Sequence, residues 1–204
     1  ESQSLLMEMQ VCRSRPFLEY AIPIIRDAFN GKGPAWETEN LIRLYHQVSR
    51  SLIRVDADEV TYPLHVIVRY RLEKQIISGA LKTSDIPAAV NAMFEDLVGV
   101  KVPNDSNGAL QDIHWYDGGF GYFPTYTLGA MTAAQIYQAA QTTLPNVEND
   151  IASGIFGPLV DWLRENIHGQ GRRLSTDDLL TQATGRPLQT APFLSHLRSR
   201  YLSD

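Results

Sequence analysis

The sequence predicts an all-α protein, mainly helical and with at most a short strand or hairpin. Apolar residues recur three and four apart over most of the chain, and no run shows sustained β alternation. Serine, threonine, aspartate and proline stand ahead of the periodic runs, and glycine stands behind them, as helix starts and stops require. The chain has 204 residues, 44% of them apolar and 20% charged, which is a globular composition with room for one core. It contains no internal repeat and no low-complexity linker, so residues 1–204 read as a single helical unit.

Leu5, Leu6, Met9 and Val11 open the chain in helical spacing without a capping residue ahead of them, so the chain is read as entering a helix at its start or part-way along. Leu41, Leu44, Tyr45, Val48 and Leu52 predict a helix over 36–52, with Thr38 as N-cap and Glu39 in the first turn. A second helix carries Val60, Leu64, Ile67, Val68, Leu72 and Ile76. A start near Asp58 to Thr61 puts Pro63 in the first turn, where its missing N–H is harmless. Gly79 stops it. Ser84-Asp85-Ile86-Pro87 starts a third helix that Gly99 ends. Residues 101–121 are rich in Gly, Asn, Asp and Pro and read as an ordered irregular loop, with room for a short strand at 113–116. Helical spacing returns from Thr125 to just before Pro145, and again over 147–168 up to Gly169-Gln170-Gly171. Ser175-Thr176-Asp177-Asp178 opens a short helix closed by Gly185, and Thr190-Ala191-Pro192 opens the last, which ends near Tyr201.

The formal net charge of −5 argues against nucleic acid as a partner, since an acidic surface gains nothing from counterion release. No segment approaches the roughly 20 apolar residues that span a bilayer, so no membrane partner is expected. The single cysteine, Cys12, allows no internal disulfide, and with no leader ahead of Glu1 a cytoplasmic location is expected.

Two segments concentrate polar groups that a core would not select. The first runs from Ile53 through Arg54, Asp56, Asp58, Glu59, Thr61, Tyr62 and Pro63 to His65. It reads either as a solvated turn with Asp58 and Thr61 capping the next helix, or as a helix-end site in which Arg54 offers a planar fork of donors to a carboxylate. The second runs from Gly108 through Gln111, Asp112, His114, Trp115, Gly118, Gly119, Gly121, Tyr122 and Phe123 to Tyr126. Tyr122 and Tyr126 are four apart and are expected to share a helix face, with phenols able to donate to a developing oxyanion. Asp112 and His114, two apart, suit a carboxylate that orients a histidine. No Gly-Lys-Ser/Thr follows the glycines, so they do not form a phosphate loop. The five histidines include no H-E-x-x-H pair, and Cys12 and the serines lack a nucleophile's setting. The chain by itself does not close a metal site.

Ile53-Arg54-x-x-Ala57-Asp58-Glu59-x-Thr61-Tyr62-Pro63-Leu64-His65 resembles a signature of the carboxypeptidase Taq family, with Val66 where that family usually has isoleucine. Gly108-x-x-Gln111-Asp112-x-His114-Trp115 resembles a second signature, and Gly121-Tyr122-Phe123-Pro124-Thr125-Tyr126-x-Leu128-Gly129 its continuation. Glu1-Ser2-Gln3 resembles the tail of an H-E-S-Q motif without its histidine. The resemblance runs through Pro192-Phe193-Leu194 and implies the C-terminal part of a larger, helical, groove-shaped metallopeptidase, usually homodimeric.

It further implies a zinc enzyme, in which cobalt can substitute, that removes single amino acids from peptides with a free C-terminus. Glu1 maps onto one metal ligand, and two further ligands are expected upstream. By the same resemblance Arg54 is the expected clamp for the substrate carboxylate, with Gln111 and His65 also on the binding side. His114, Tyr122 and Tyr126 are the expected catalytic group at the oxyanion, and Gln111 and Asp112 are expected to support their neighbours. The 204 residues are expected to be a piece lacking the N-terminal half, inactive alone and prone to self-association. The alternatives are a non-catalytic helical interaction module and a related helical zinc endopeptidase.

Overall fold

The structure is a computed structural model that describes residues 1–202. Among these residues there are helices and turns and no strand; the sequence allowed a strand at 113–116, and the chain there is a run of turns.

Helix α1 (Ser2–Leu5) runs directly into a π-helical stretch, Leu6–Cys12. Helix α2 (Arg15–Ala28) begins where Ser14 Oγ accepts the Phe17 N–H at 3.3 Å. No expectation from the sequence covers this helix. Pro16 sits in the first turn, and Pro23 costs one internal hydrogen bond. Helix α3 (Thr38–Tyr45) stops at Tyr45 and not at Leu52. Past its end Ser49 donates its N–H to the Asp58 carboxylate at 2.9 Å instead of continuing the helical ladder. Thr38 is the first helical residue and not the cap; Glu37 holds that position without a side-chain bond.

Helix α4 (Tyr62–Ile77) starts as expected, with Pro63 in its first turn. Thr61 is its N-cap, without a side-chain bond, and Asp58 holds the turn just ahead: its carboxylate accepts the Val60 and Thr61 N–H groups at 2.9 Å and the Thr61 hydroxyl at 3.0 Å. A 3-10 turn, Thr83–Asp85, leads into α5 (Ile86–Leu97), and Gly99 at φ +75° ends it. Helix α6 (Pro124–Thr143) follows the long loop. The single helix expected over 147–168 is two, α7 (Val147–Ala152) and α8 (Gly157–Asn166). Gly154 sits between them at φ +73°, a left-handed conformation that breaks the helix. Helices α9 (Thr176–Thr184) and α10 (Ala191–Tyr201) complete the chain; Ser175 caps α9, and Gly185, left-handed at φ +79°, closes it.

The chain divides into two compact units, one made of Glu1–Gln47 with the residues from Gly129 onward, the other Val48–Leu128. In the first, Leu6, Val11, Ala133, Ala140 and Ile151 lose all contact with solvent. The alanines of α6 keep its inward face thin, so neighbouring helices approach closely. Gly129 extends this face. A Cβ there would stand 3.2–3.3 Å from Leu5 and from the Cβ and Cγ of Glu1. Leu18 and Ile22 of α2 pack on Ile42 of α3. In the second unit α4 and α5 bury Val68, Leu72, Val90 and Phe94 between them, and Trp115 of the loop packs on that core. Each such aliphatic or aromatic burial contributes about 2 kcal/mol.

Gly154 tests the first unit. A Cβ on it would lie 2.4 Å from the Tyr20 ring, at a φ that L residues rarely adopt. Gly154→Ala is expected to lower unfolding free energy by about 2–3 kcal/mol in a urea titration. A change under about 0.5 kcal/mol would mean that Tyr20 swings away freely.

Candidate functional site

The second unit gathers the polar residues of both sequence segments around one carboxylate. Asp112 lies in the turn-rich loop ahead of α6. Its Oδ1 accepts from Arg54 Nη2 at 2.9 Å and Nε at 3.1 Å, and its Oδ2 accepts from Arg69 Nε at 2.5 Å. Arg54 comes from the 3-10 turn Arg54–Asp56, and Arg69 from the interior of α4; each is only 5% exposed. Aromatic rings enclose both guanidiniums. Arg54 Cζ stands 4.5 Å from the centroid of Tyr126 and 5.8 Å from that of Phe123, and Arg69 Cζ lies 5.5 Å from Phe123 and 5.7 Å from Phe94.

Gln111 ties the cluster to the backbone. Its Oε1 accepts the Arg54 main-chain N–H at 2.8 Å and Arg69 Nη2 at 2.9 Å. Its Nε2 donates to the carbonyls of Leu52 and Asn107. A primary amide has two donors and one carbonyl oxygen, so these contacts occupy all its groups. Burial raises the Asp112 carboxyl, yet the hydrogen bond from Arg54 and the charges of Arg69 and Arg54 outweigh it and hold the group below the ordinary carboxylate range.

His114 Nε2 shares a hydrogen bond of 2.9 Å with the Tyr126 hydroxyl, and its ring lies 4.4 Å from that of Phe123. Asp112 does not orient it: His114 Nδ1 stands 3.9 Å from Asp112 Oδ1 and has no hydrogen-bond partner. Burial, with Arg54 and Arg69 acting against Asp112 and Glu73, pushes the His114 pKa down and favours the neutral ring. Tyr122 and Tyr126 do not share a helix face, because α6 begins at Pro124, after Tyr122. They meet edge to face at 5.3 Å, with Tyr122 half exposed. Gly119 lets the loop turn tightly, since a Cβ there would lie 3.1 Å from the His114 carbonyl oxygen.

Of the expected binding group, Arg54 and Gln111 come together. His65, also on α4, is fully buried against Phe94, and neither ring nitrogen has a hydrogen-bond partner. Two members of the cluster escaped the sequence reading. Arg69 is one. Glu73 is the other; its Oε1 accepts Trp115 Nε1 at 3.2 Å and the Gly121 N–H at 2.9 Å, which fastens the loop to α4. The available signal was the four-residue spacing of His65, Arg69 and Glu73, a polar stripe down a helix in an apolar sequence.

Glu1 belongs to the first unit, where it is exposed and its aliphatic stem rests against Gly129. Nearby, Gln3 Oε1 and His168 Nε2 share a hydrogen bond of 2.9 Å. A catalytic metal takes about three protein ligands. Among the described residues no three histidine, cysteine or acidic side chains are placed to hold one.

Two outcomes follow from this geometry. Asp112→Asn keeps the shape but leaves two buried guanidiniums without an anion, and is expected to cost about 3–5 kcal/mol in chemical denaturation. Burial, reinforced by Arg69 and Arg54, pushes the His65 pKa down to about 4 from an ordinary 6.5. The unfolded chain then takes up a proton below about 6.5 that the folded chain refuses until about 4. His65 should thus contribute its full stability above pH ~6.5 and lose about 3 kcal/mol as the pH falls to ~4. Unfolding curves of His65→Leu should lack that slope; an unchanged slope would assign it elsewhere.

The family model of the carboxypeptidase Taq (M32) metallopeptidases matches residues 1–201. The chain is 41% identical over 201 residues to a thermostable carboxypeptidase 1 of Thermus thermophilus, covering 98% of this chain and 39% of that protein. It is 37% identical over 201 residues to a carboxypeptidase 1 of Bacillus subtilis, covering 98% of this chain and 40% of that one. Its structure is similar to that of Trypanosoma cruzi metallocarboxypeptidase 1, with a TM-score of 0.95 at 40% identity over 99% of this chain and 42% of that one. It is also similar to an M32 carboxypeptidase from Deinococcus radiodurans, with a TM-score of 0.94 at 43% identity over 98% and 40%. The chain thus spans about 40% of the length of the relatives it matches. A helical structure, the Arg54–Asp112–Arg69 cluster beside His114 and Tyr126, and a match over nearly every residue lead to one conclusion: the chain belongs to the carboxypeptidase Taq (M32) metallopeptidase family.

Proposed function

We propose that the chain is the C-terminal part of the catalytic domain of a zinc metallocarboxypeptidase that releases single amino acids from peptide C-termini. One observation carries this reading. A buried, carboxylate-binding guanidinium and a histidine–tyrosine hydrogen-bonded pair adjoin one another, with Arg54 Cζ 4.5 Å from the Tyr126 ring and the Tyr126 hydroxyl on His114. An exopeptidase needs both: a group that recognises the terminal carboxylate, and donors for the oxyanion one residue away.

In this reading Arg54 receives the terminal carboxylate. Gln111 holds the main chain of Arg54 in place. His65, closed off from solvent, serves the binding side by packing beneath it. Tyr126, with His114 neutral behind it, donates to the oxyanion, and the half-exposed Tyr122 borders the same space. Glu1 provides one metal ligand, and two further ligands lie outside this chain. When bound, zinc, or cobalt in its place, supplies an activated water and polarises the scissile carbonyl. The resemblance of the motifs supports a homodimer, the net charge of −5 speaks against a nucleic-acid partner, and a single cysteine suits a reducing, cytoplasmic setting without a membrane partner. Among the described residues no helix is long and apolar enough to cross a bilayer. The 204 residues alone are expected to hydrolyse nothing.

The test gives the full-length protein a peptide with a free C-terminus and the same peptide amidated. Residues should leave one at a time from the free peptide only, and Glu1→Gln should abolish both release and stoichiometric zinc. Cleavage of both peptides at internal bonds would identify an endopeptidase, and binding without cleavage an interaction module.

A further inference from the structure

We infer that Arg69 is a positioning residue for the site that receives the substrate's terminal carboxylate. This rests on the carboxypeptidase reading and deepens it. The Nε and Nη2 of Arg54 already lie on Asp112, and with that carboxylate as its sole neighbour the charge of Arg54 would be cancelled. Arg69 changes that balance. Its Nε takes Asp112 Oδ2, so one negative charge is divided between two guanidiniums and positive charge remains at Arg54. The Nη1 of Arg54 is directed at the Tyr62 hydroxyl, 3.2 Å away, on its side remote from Asp112.

Arg69 also fixes the main chain of Arg54. Its Nη2 donates to Gln111 Oε1, the same atom that accepts the Arg54 N–H. A single side chain thus holds both Arg54's anionic partner and its backbone support. Arg69 is itself anchored, with Nη1 donating to the His65 carbonyl at 3.0 Å and its plane set among Phe94 and Phe123. The neighbouring acid, Glu73, has an oxygen committed to Trp115 and Gly121. Three directed donations from one side chain need the planar fork of arginine; a lysine ammonium restores the charge and not the geometry.

The experiment compares Arg69→Met and Arg69→Lys with the wild type in the full-length enzyme. It measures kcat and KM on a free-C-terminus peptide, with calorimetric binding of an N-acetylated amino acid and of its amide. Losing a charge-assisted brace should raise KM by about tenfold or more in Arg69→Met while kcat stays within about threefold. Arg69→Lys should recover part of that loss. Affinity for the N-acetylated amino acid should fall in the same order, with affinity for the amide unmoved. An unchanged KM, a loss confined to kcat, or equal weakening of acid and amide overturns the inference. If Arg69→Met does not fold, Arg69→Lys decides alone. Raised KM with wild-type thermal unfolding then supports the role, and wild-type KM overturns it. A wild-type enzyme that removes no C-terminal residue overturns the carboxypeptidase reading itself, whatever the variants do.

Discussion

The Asp112 carboxylate is shared by two buried guanidiniums, and much of the second unit follows from keeping that arrangement satisfied. Removing three charges from water costs several kcal/mol each, which is recovered only with near-ideal hydrogen bonds and a full set of partners. The unit supplies these from separate places. Arg54 comes from a 3-10 turn, Arg69 from mid-helix, and Asp112 and Gln111 from the irregular loop. Aromatic faces on Tyr126, Phe123 and Phe94 close round the cations and exclude water, which strengthens every charge interaction inside.

That requirement explains why the loop is ordered without being regular. Its backbone must present Gln111 and Asp112 toward α4 and His114 toward α6, and within a few residues no helix or strand can do both. Glu73 pins it at Trp115 and Gly121, and Gly119 allows the turn beneath His114. The same charges reach His114. Guanidiniums beside a partly buried imidazole favour the neutral ring, so His114 serves Tyr126 as a hydrogen-bond partner and not as a cation.

The first unit has a different constraint, which is volume. The small residues of α6 bring α1 close, and Gly129 admits the stem of Glu1. An acidic side chain so placed has its stem packed while the residue stays exposed to solvent.

Local chemistry was legible in the sequence wherever neighbours along the chain decide the outcome. The start of α4 just after the Asp58 turn with Pro63 in its first turn, the stops at Gly79 and Gly99, and the capped α9 closed by Gly185 all follow from residues within a turn of one another. So did the family, because its motifs are contiguous strings. Tertiary structure alone decided the rest. The break at Gly154 depends on a left-handed turn against Tyr20, and the end of α3 is followed by a donation from Ser49 to Asp58 across an irregular stretch. Arg69 and Glu73 carry no local signal of burial along the chain. Only the return of the 111–121 loop, more than a helix length later in the chain, buries them and turns them into the frame of the site. A sequence shows which side chains can pair. Which of them lose water, and so must pair, is settled by long-range packing.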